Sequence, residues 1–216
     1  MDTLLRRREM MGMGGAAPAP VFHTRLVFDG TAYIDTDIQI PENGSVRATL
    51  GWETTKGLQA LFNAGGRVYA LLNNSTDATR RYFTAAYDSG TALISGTTMY
   101  LGWTNTSYGF FLTPKRVGYG TSSKTFTKGS SRPESGLVIG NNAAHTSTPF
   151  TGKVGSIIRI YGSDAQDVTS YSGFESYTPV YRLRPCTYLG EAGLWCVETS
   201  TFYGNTAGAG TLSVED

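Results

Sequence analysis

The stretch from Leu137 to Tyr161, LVIGNNAAHTSTPFTGKVGSIIRIY, constrains the fold of this chain more than any other. It opens on a short apolar run, Leu137-Val138-Ile139, and closes on a run rich in β-branched residues, with Ile157, Ile158 and Ile160 following Val154. Gly140, Asn141, Asn142 and Pro149 between them are turn residues, and Phe150-Thr151-Gly152 leads into the second run. The pattern predicts a buried pair of strands at the centre of an antiparallel sandwich, with Leu137, Ile139 and Ile157 in its core.

The rest of the chain has the same character. Residues 33 to 40 alternate, which puts Ile34, Ile38 and Ile40 on a core face and Tyr33, Asp35, Asp37 and Gln39 on the other. Pro41-Glu42-Asn43-Gly44 supplies a turn, and Val46 to Trp52 predicts the next strand. Leu58 to Asn63, Arg67 to Leu72 and Arg80 to Tyr87 continue as short strands at meander spacing. After Tyr161, residues 162 to 167 predict an exposed turn, followed by a Tyr-rich strand region up to Tyr181. With 27 Gly, 13 Tyr and only 16% charged residues, the 216-residue chain suits many short strands and no long helices. We therefore expect an all-β, antiparallel two-sheet domain over residues 21 to 216, preceded by an arm and linker over residues 1 to 20.

Several function classes are disfavoured on composition. A net charge of +1 argues against a nucleic-acid binder that works by broad phosphate neutralisation. No run approaches the roughly 20 apolar residues of a membrane span. The N-terminal residues carry Arg6, Arg7 and Arg8, but Gly12 to Pro20 follows in place of an apolar segment, so the start does not read as a secretion signal. Cys186 and Cys196 are ten residues apart; two free thiols are favoured over a bridge across a hairpin, because one pair is no disulfide framework for a domain this large.

Leu137-x-Ile139-Gly140, followed by Phe150-x-Gly152 and an Ile-rich strand ending Ile160-Tyr161, resembles the laminin-G-like (concanavalin A-like) jelly-roll domains, of the small type found in gut bacteria and their phages. Thr31-Ala32-Tyr33-Ile34-Asp35-Thr36 is similar to the opening strand of that family. The segment from Pro185-Cys186 through Phe202-Tyr203-Gly204-Asn205 to Gly210 is similar to its close, with Trp195-Cys196 standing where the family has Tyr-Asp. The resemblance spans about residues 25 to 212 and implies an antiparallel jelly-roll sandwich.

Motifs for chemistry are sparse. Glycosidases on this fold use a close-spaced run of carboxylates, and no glutamate here sits in one; Asp35-x-Asp37 comes nearest and reads better as solvated or turn-bonding carboxylates. With two histidines, His23 and His145, there is no nucleophile elbow or zinc motif. No catalytic residue and no cofactor is expected. Calcium enters only through the resemblance, with Asp77, Asp88, Asp164 and Asp167 as loop carboxylates that match no named spacing. Sugar recognition needs aromatic faces beside polar groups. Trp103, Asn105 and Tyr108 form the leading cluster and Trp52 is a second candidate; the alternative for Trp103 and Tyr108 is a place in the core or in a subunit interface.

These features lead to two expectations. The first is a non-enzymatic structural virion protein of a bacteriophage (capsid decoration, head-fibre or tail-associated subunit). It would dock through Leu4, Leu5, Arg6, Arg7, Arg8, Met10 and Met11, an arm too short to bury its own apolar groups, and would act as a homo-oligomer on the virion surface. The alternative is a glycan-binding module on a bacterial cell surface. The two coincide if a virion domain binds host glycans.

Overall fold

A computed structural model describes residues 18–52, 59–64, 68–74, 80–87, 94–100, 108–119, 122–125, 127–129, 136–141 and 149–216. Among the described residues the strands form two antiparallel sheets. The larger holds β1 (Val21–Phe22), β2 (Arg25–Asp29), β4 (Ser45–Trp52), β9 (Tyr108–Leu112), β10 (Arg116–Tyr119), β11 (Ser122–Thr125), β13 (Thr151–Tyr161), β14 (Tyr181–Tyr188), β15 (Glu191–Cys196), β16 (Thr201–Tyr203) and β17 (Leu212–Glu215). The smaller holds β3 (Ile34–Asp35), β5 (Gln59–Asn63), β6 (Val68–Asn74), β7 (Arg80–Tyr87), β8 (Ile94–Tyr100) and β12 (Val138–Ile139). The larger sheet runs β11-β10-β9-β4-β13-β14-β15-β16, with β1 on β14, and with β2 between β13 and β17; the smaller runs β3-β12-β5-β6-β7-β8. The expected β sandwich is the fold that forms.

Alternation explains the core. In β4, Val46, Ala48 and Leu50 face inward, where they meet Phe110 and Leu112 of β9, Val154, Ile158 and Ile160 of β13, and Leu61, Phe62 and Ile139 of the opposite sheet. Ile34, Ile38 and Ile40 are buried as expected, although only Ile34–Asp35 of that stretch is paired as a strand. Two polar contacts tie the layers. Buried Gln59 of β5 accepts the Thr151 N–H of β13 at 2.9 Å, and the Tyr87 hydroxyl of β7 donates to the Gly44 carbonyl at 2.5 Å. Both satisfy groups that would be costly to bury unpaired.

Three expectations need correction. The two runs of the Leu137 to Tyr161 stretch do not pair with each other: β12 pairs with β3 and β5, while β13 pairs with β4, β2 and β14 in the other sheet. Ile157 is only half-buried, because the phase set by Val154, Ile158 and Ile160 turns it away from the core. The register of β13 against β4 is irregular between Gly155 and Arg159, so Ser156 in the same phase as Val154 is left exposed. Residues 162 to 180 form no strand. They make two 3₁₀ turns, Ser163–Ala165 and Ser172–Ser176, in a strap whose Ala165, Val168 and Phe174 pack on Phe111 and Tyr161 as a second, smaller core.

The second strand meets the last described one. β17 pairs with β2, setting Glu215 opposite Arg25, and His23 Nδ1 lies 2.7 Å from an Asp216 carboxylate oxygen.

Cys186 and Cys196 are buried, free thiols on opposite faces of the β14–β15 hairpin, where Cys186 pairs with Gly193 and Cys196 with Leu183. Burial pushes the Cys186 thiol up to about 11, against a small opposing pull from the Arg184 guanidinium. We expect neither buried thiol to react appreciably with a disulfide reagent at pH 8 until the protein is unfolded, when both become accessible to it. Prompt stoichiometric labelling of the native protein would contradict this.

Candidate functional site

The larger sheet has an outer face, turned away from the core, and its two halves are finished differently. Because Leu183 of β14, Leu194 and Cys196 of β15 and Tyr203 of β16 point to the core, Arg184, Cys186, Tyr188, Gly193, Trp195 and Phe202 point out. Strand pairing sets Arg184, Trp195 and Phe202 side by side across three strands. The Phe202 ring lies over Gly193, and the Tyr188 ring has its centroid 5.2 Å from that of Trp195 and 5.4 Å from that of Phe202. A Cβ at Gly193 would lie 2.7 Å from the Phe202 ring and 2.3 Å from the Tyr203 carbonyl, so the glycine is what lets the aromatic layer settle on the backbone. β1 adds Phe22, which is 37% exposed and carries the Arg184 guanidinium 3.8 Å from its ring centroid.

Tyr188, Trp195 and Phe202 are all partly exposed, so this is an aromatic surface and not part of the interior. Among the described residues neither the Trp195 indole N–H nor the Tyr188 hydroxyl has a hydrogen-bond partner. Glu191 lies at the hairpin end of the same face. Asn205, the nearest amide in sequence, is committed elsewhere: its Nδ2 donates to the carbonyls of Ala209 and Gly210, and its Oδ1 accepts the Ala207 N–H. The arrangement can stack an apolar ring face and donate hydrogen bonds from its edge.

The other half of the outer face is roofed by the strap. Tyr171 lies on Gly109 of β9, its hydroxyl 2.9 Å from Thr49 Oγ1, and its ring covers the Arg47 guanidinium at 3.9 Å. Burial works against the charge of Arg47, but the hydroxyls of Tyr171 and Tyr161 outweigh it and keep the guanidinium charged. The Tyr161 hydroxyl is itself pushed up by burial, with Arg47 and Arg159 pulling the other way. Gly109 and Gly193, against each of which a ring lies on this face, both sit within strands, where a glycine marks a close approach.

Of the residues expected from sequence to bind sugar, Trp103 and Asn105 lie outside the described residues. Trp52 ends β4 opposite Gly152, and Tyr108 opens β9 opposite Leu50, so the backbone brings these two to the same end of adjacent strands. The anchor residues Leu4, Leu5, Arg6, Arg7, Arg8, Met10 and Met11 also lie outside the described residues. The Trp195 patch was not anticipated. Its signal in the sequence is Gly193-x-Trp195 in a short strand with aromatic neighbours, but only strand pairing gathers Tyr188, Trp195, Phe202 and Phe22.

Two of the carboxylates considered for chemistry have structural partners: Asp37 accepts the Tyr203 hydroxyl and Asp167 pairs with Lys115, while the backbone N–H of Asp35 donates to Thr206 Oγ1 at 3.0 Å. Asp29 gathers the N–H groups of Thr31, Ala32 and Thr211 and the Thr31 hydroxyl. Burial raises its pKa, but these bonds together hold the carboxyl below its ordinary value. Asp77, Asp88 and His145 lie outside the described residues. Among the described residues, which include Asp164 and Asp167, no three His, Cys, Asp or Glu side chains are grouped to hold a metal ion.

No family model matches the chain, and no curated protein matches it. Among solved structures, the fold is similar to that of a "putative carbohydrate binding protein" from Bacteroides ovatus, with a TM-score of 0.52 and 12% sequence identity over 91% of this chain and 61% of that one. The chain thus spans about three-fifths of that protein's length, and at this identity the likeness is one of fold.

Proposed function

We propose that this β sandwich is a non-enzymatic, lectin-like module that binds a carbohydrate on the outer face of its larger sheet. The observation that carries the proposal is the aromatic surface of Tyr188, Trp195 and Phe202, with Phe202 laid over Gly193, edged by the Trp195 indole N–H and the Tyr188 hydroxyl. Sugar rings expose C–H faces that stack on aromatic π-faces, and their hydroxyls take up the polar edge. Three aromatic rings already packed together lose little conformational freedom on binding, which keeps the entropic cost low. The fold it shares with a protein described as carbohydrate-binding supports the same reading.

The proposal keeps what the two expectations from sequence have in common, a displayed sandwich that binds glycan. Placement on a virion turns on residues 1 to 17, outside the described residues, and forms no part of it. Glycan-array or affinity-gel binding by the wild-type protein, lost about tenfold or more in Trp195→Ala with an unchanged far-ultraviolet spectrum, is the expected result; tenfold corresponds to about 1.4 kcal/mol. Wild-type binding that survives Trp195→Ala and Tyr188→Ala would move the site away from this face.

A further inference from the structure

The outer face also carries more positive charge than it neutralises, and where that charge sits defines a class of ligand. Pairing of β4, β13 and β14 sets Arg47 opposite Arg159 and Arg159 opposite Arg182, three guanidinium side chains in one row. All three point outward, because Val46, Ile158, Ile160 and Leu183 face the core. Arg184 follows Arg182 on the same face and leads directly to Trp195. Like charges directly opposite one another destabilise a sheet, so the row is not there for stability.

Two of the row's three guanidiniums have a carboxylate partner. Glu198 binds Arg182 at 2.6 Å, and Glu175, itself 72% exposed, is 3.5 Å from Arg47. Beyond the row, Arg25 and Lys153 share Glu215, and Lys115 has Asp167. Among the described residues Arg159 and Arg184 have no ion-pair partner. The Nε atoms of Arg184 and Arg47 are buried without a hydrogen-bond partner, and an unmet buried donor is a cost that an incoming acceptor relieves. Strand and residue spacing put the Cα atoms of Arg159 and Arg184 about 8 Å apart, with Arg182, paired to Glu198, opposite Arg159 on the strand that carries Arg184.

We infer that the glycan bound at the aromatic patch is anionic, its carboxylate or sulfate groups held by Arg184 and Arg159 while an adjoining sugar ring stacks on Trp195. The inference rests on the glycan-binding reading above and names its ligand class. Guanidinium forks match planar, two-oxygen acceptors, and such charge-assisted bonds are about twice as strong as neutral ones. A densely charged nucleic-acid backbone suits the face less well, because Glu175, Glu198 and Glu191 stand in or beside the stripe and only two guanidiniums are open.

The test uses the full chain against immobilised polygalacturonate, its methyl ester, dextran sulfate, neutral dextran and a single-stranded oligonucleotide. Binding to polygalacturonate or dextran sulfate is expected, weakening steeply between low and high salt, and the preferred polymer tells carboxylate from sulfate. Arg159→Gln and Arg184→Gln should each lose about tenfold or more in affinity. Arg159→Gln should keep or raise the melting temperature, since it removes a like-charge contact, and this separates loss of a ligand contact from loss of folding. Equal binding to the acid polymer and its methyl ester, with Trp195 still required, would overturn the anionic inference and leave the aromatic site standing. Binding to the acid polymer that withstands both substitutions, or tighter binding to the oligonucleotide than to any glycan, would also overturn it. No binding to any polysaccharide would overturn both readings.

Discussion

Replacing Phe150 by alanine is expected to remove about 3–5 kcal/mol of folding free energy, the range for emptying a large aromatic site in a core that cannot collapse around it. Phe150 is 0% exposed, meets Phe28 edge-on at 5.6 Å between centroids, and lies over Gly152, where a Cβ would come within 2.7 Å of its ring. It stands where the chain crosses between layers: its N–H donates to the Gly140 carbonyl at 2.9 Å just after β12, and β13 begins at the next residue. The cavity would therefore open between the two sheets. Urea titration should show the midpoint fall with the slope unchanged. A loss below about 1 kcal/mol would mean that the interior at this crossing is not close-packed.

The second large effect is expected at a position with no side chain. At Gly136 an added Cβ would lie 1.8 Å from the Thr36 carbonyl oxygen and 3.3 Å from the Asp37 Cα, which are backbone atoms that cannot rotate aside. The two segments are laced together there. Thr36 N–H donates to the Leu137 carbonyl at 3.0 Å, Leu137 N–H to the Ile38 carbonyl at 2.8 Å, and the Thr36 hydroxyl to the Leu137 carbonyl at 2.8 Å. Gly136→Ala must push these strands apart and loosen all three bonds, at about 0.5–1.5 kcal/mol each in addition to the overpacking strain. The expected sum is about 3 kcal/mol or more. Amide exchange should locate the damage, with Thr36 and Leu137 losing protection first; an alanine variant as stable as the parent would show that the segments are not in this contact.

Much of the sandwich could be read from period-two alternation, because one face of each strand must be apolar for the layers to meet. Ile34, Ile38 and Ile40 take their predicted face, Val46, Ala48 and Leu50 alternate inward in the predicted strand, and Arg80–Tyr87 is the strand that its composition suggests. The failures share a cause in that local pattern carries no information about which surfaces meet. Leu137 to Ile139 and Val154 to Ile160 are both apolar because both are interior, and that does not tell partners in one sheet from neighbours across the core. The strap read as a strand because Tyr171 and Tyr177 look like strand aromatics, yet both lie against a small core built on Phe174. The patch of Tyr188, Trp195 and Phe202 was hidden for a further reason: its residues belong to three strands, and each alone is an ordinary half-buried aromatic. The arginine row is assembled in the same way, from residues 47, 159 and 182, by register.

The pairing of β2 with β17 has a kinetic consequence. Leu26 and Phe28 are core residues whose strand is flanked by Val154 and Gly152 of β13 on one edge and by Leu212 and Val214 of β17 on the other. During synthesis the first neighbour of β2 leaves the ribosome more than a hundred residues later and the second almost two hundred residues later. Until then a finished early strand has an open hydrogen-bonding edge and an apolar face. Such long-range closure slows folding and leaves the nascent chain prone to wrong pairing. A chaperone that holds extended apolar segments would therefore have β2 as an early client site, and release from it would be timed by the emergence of the last strand.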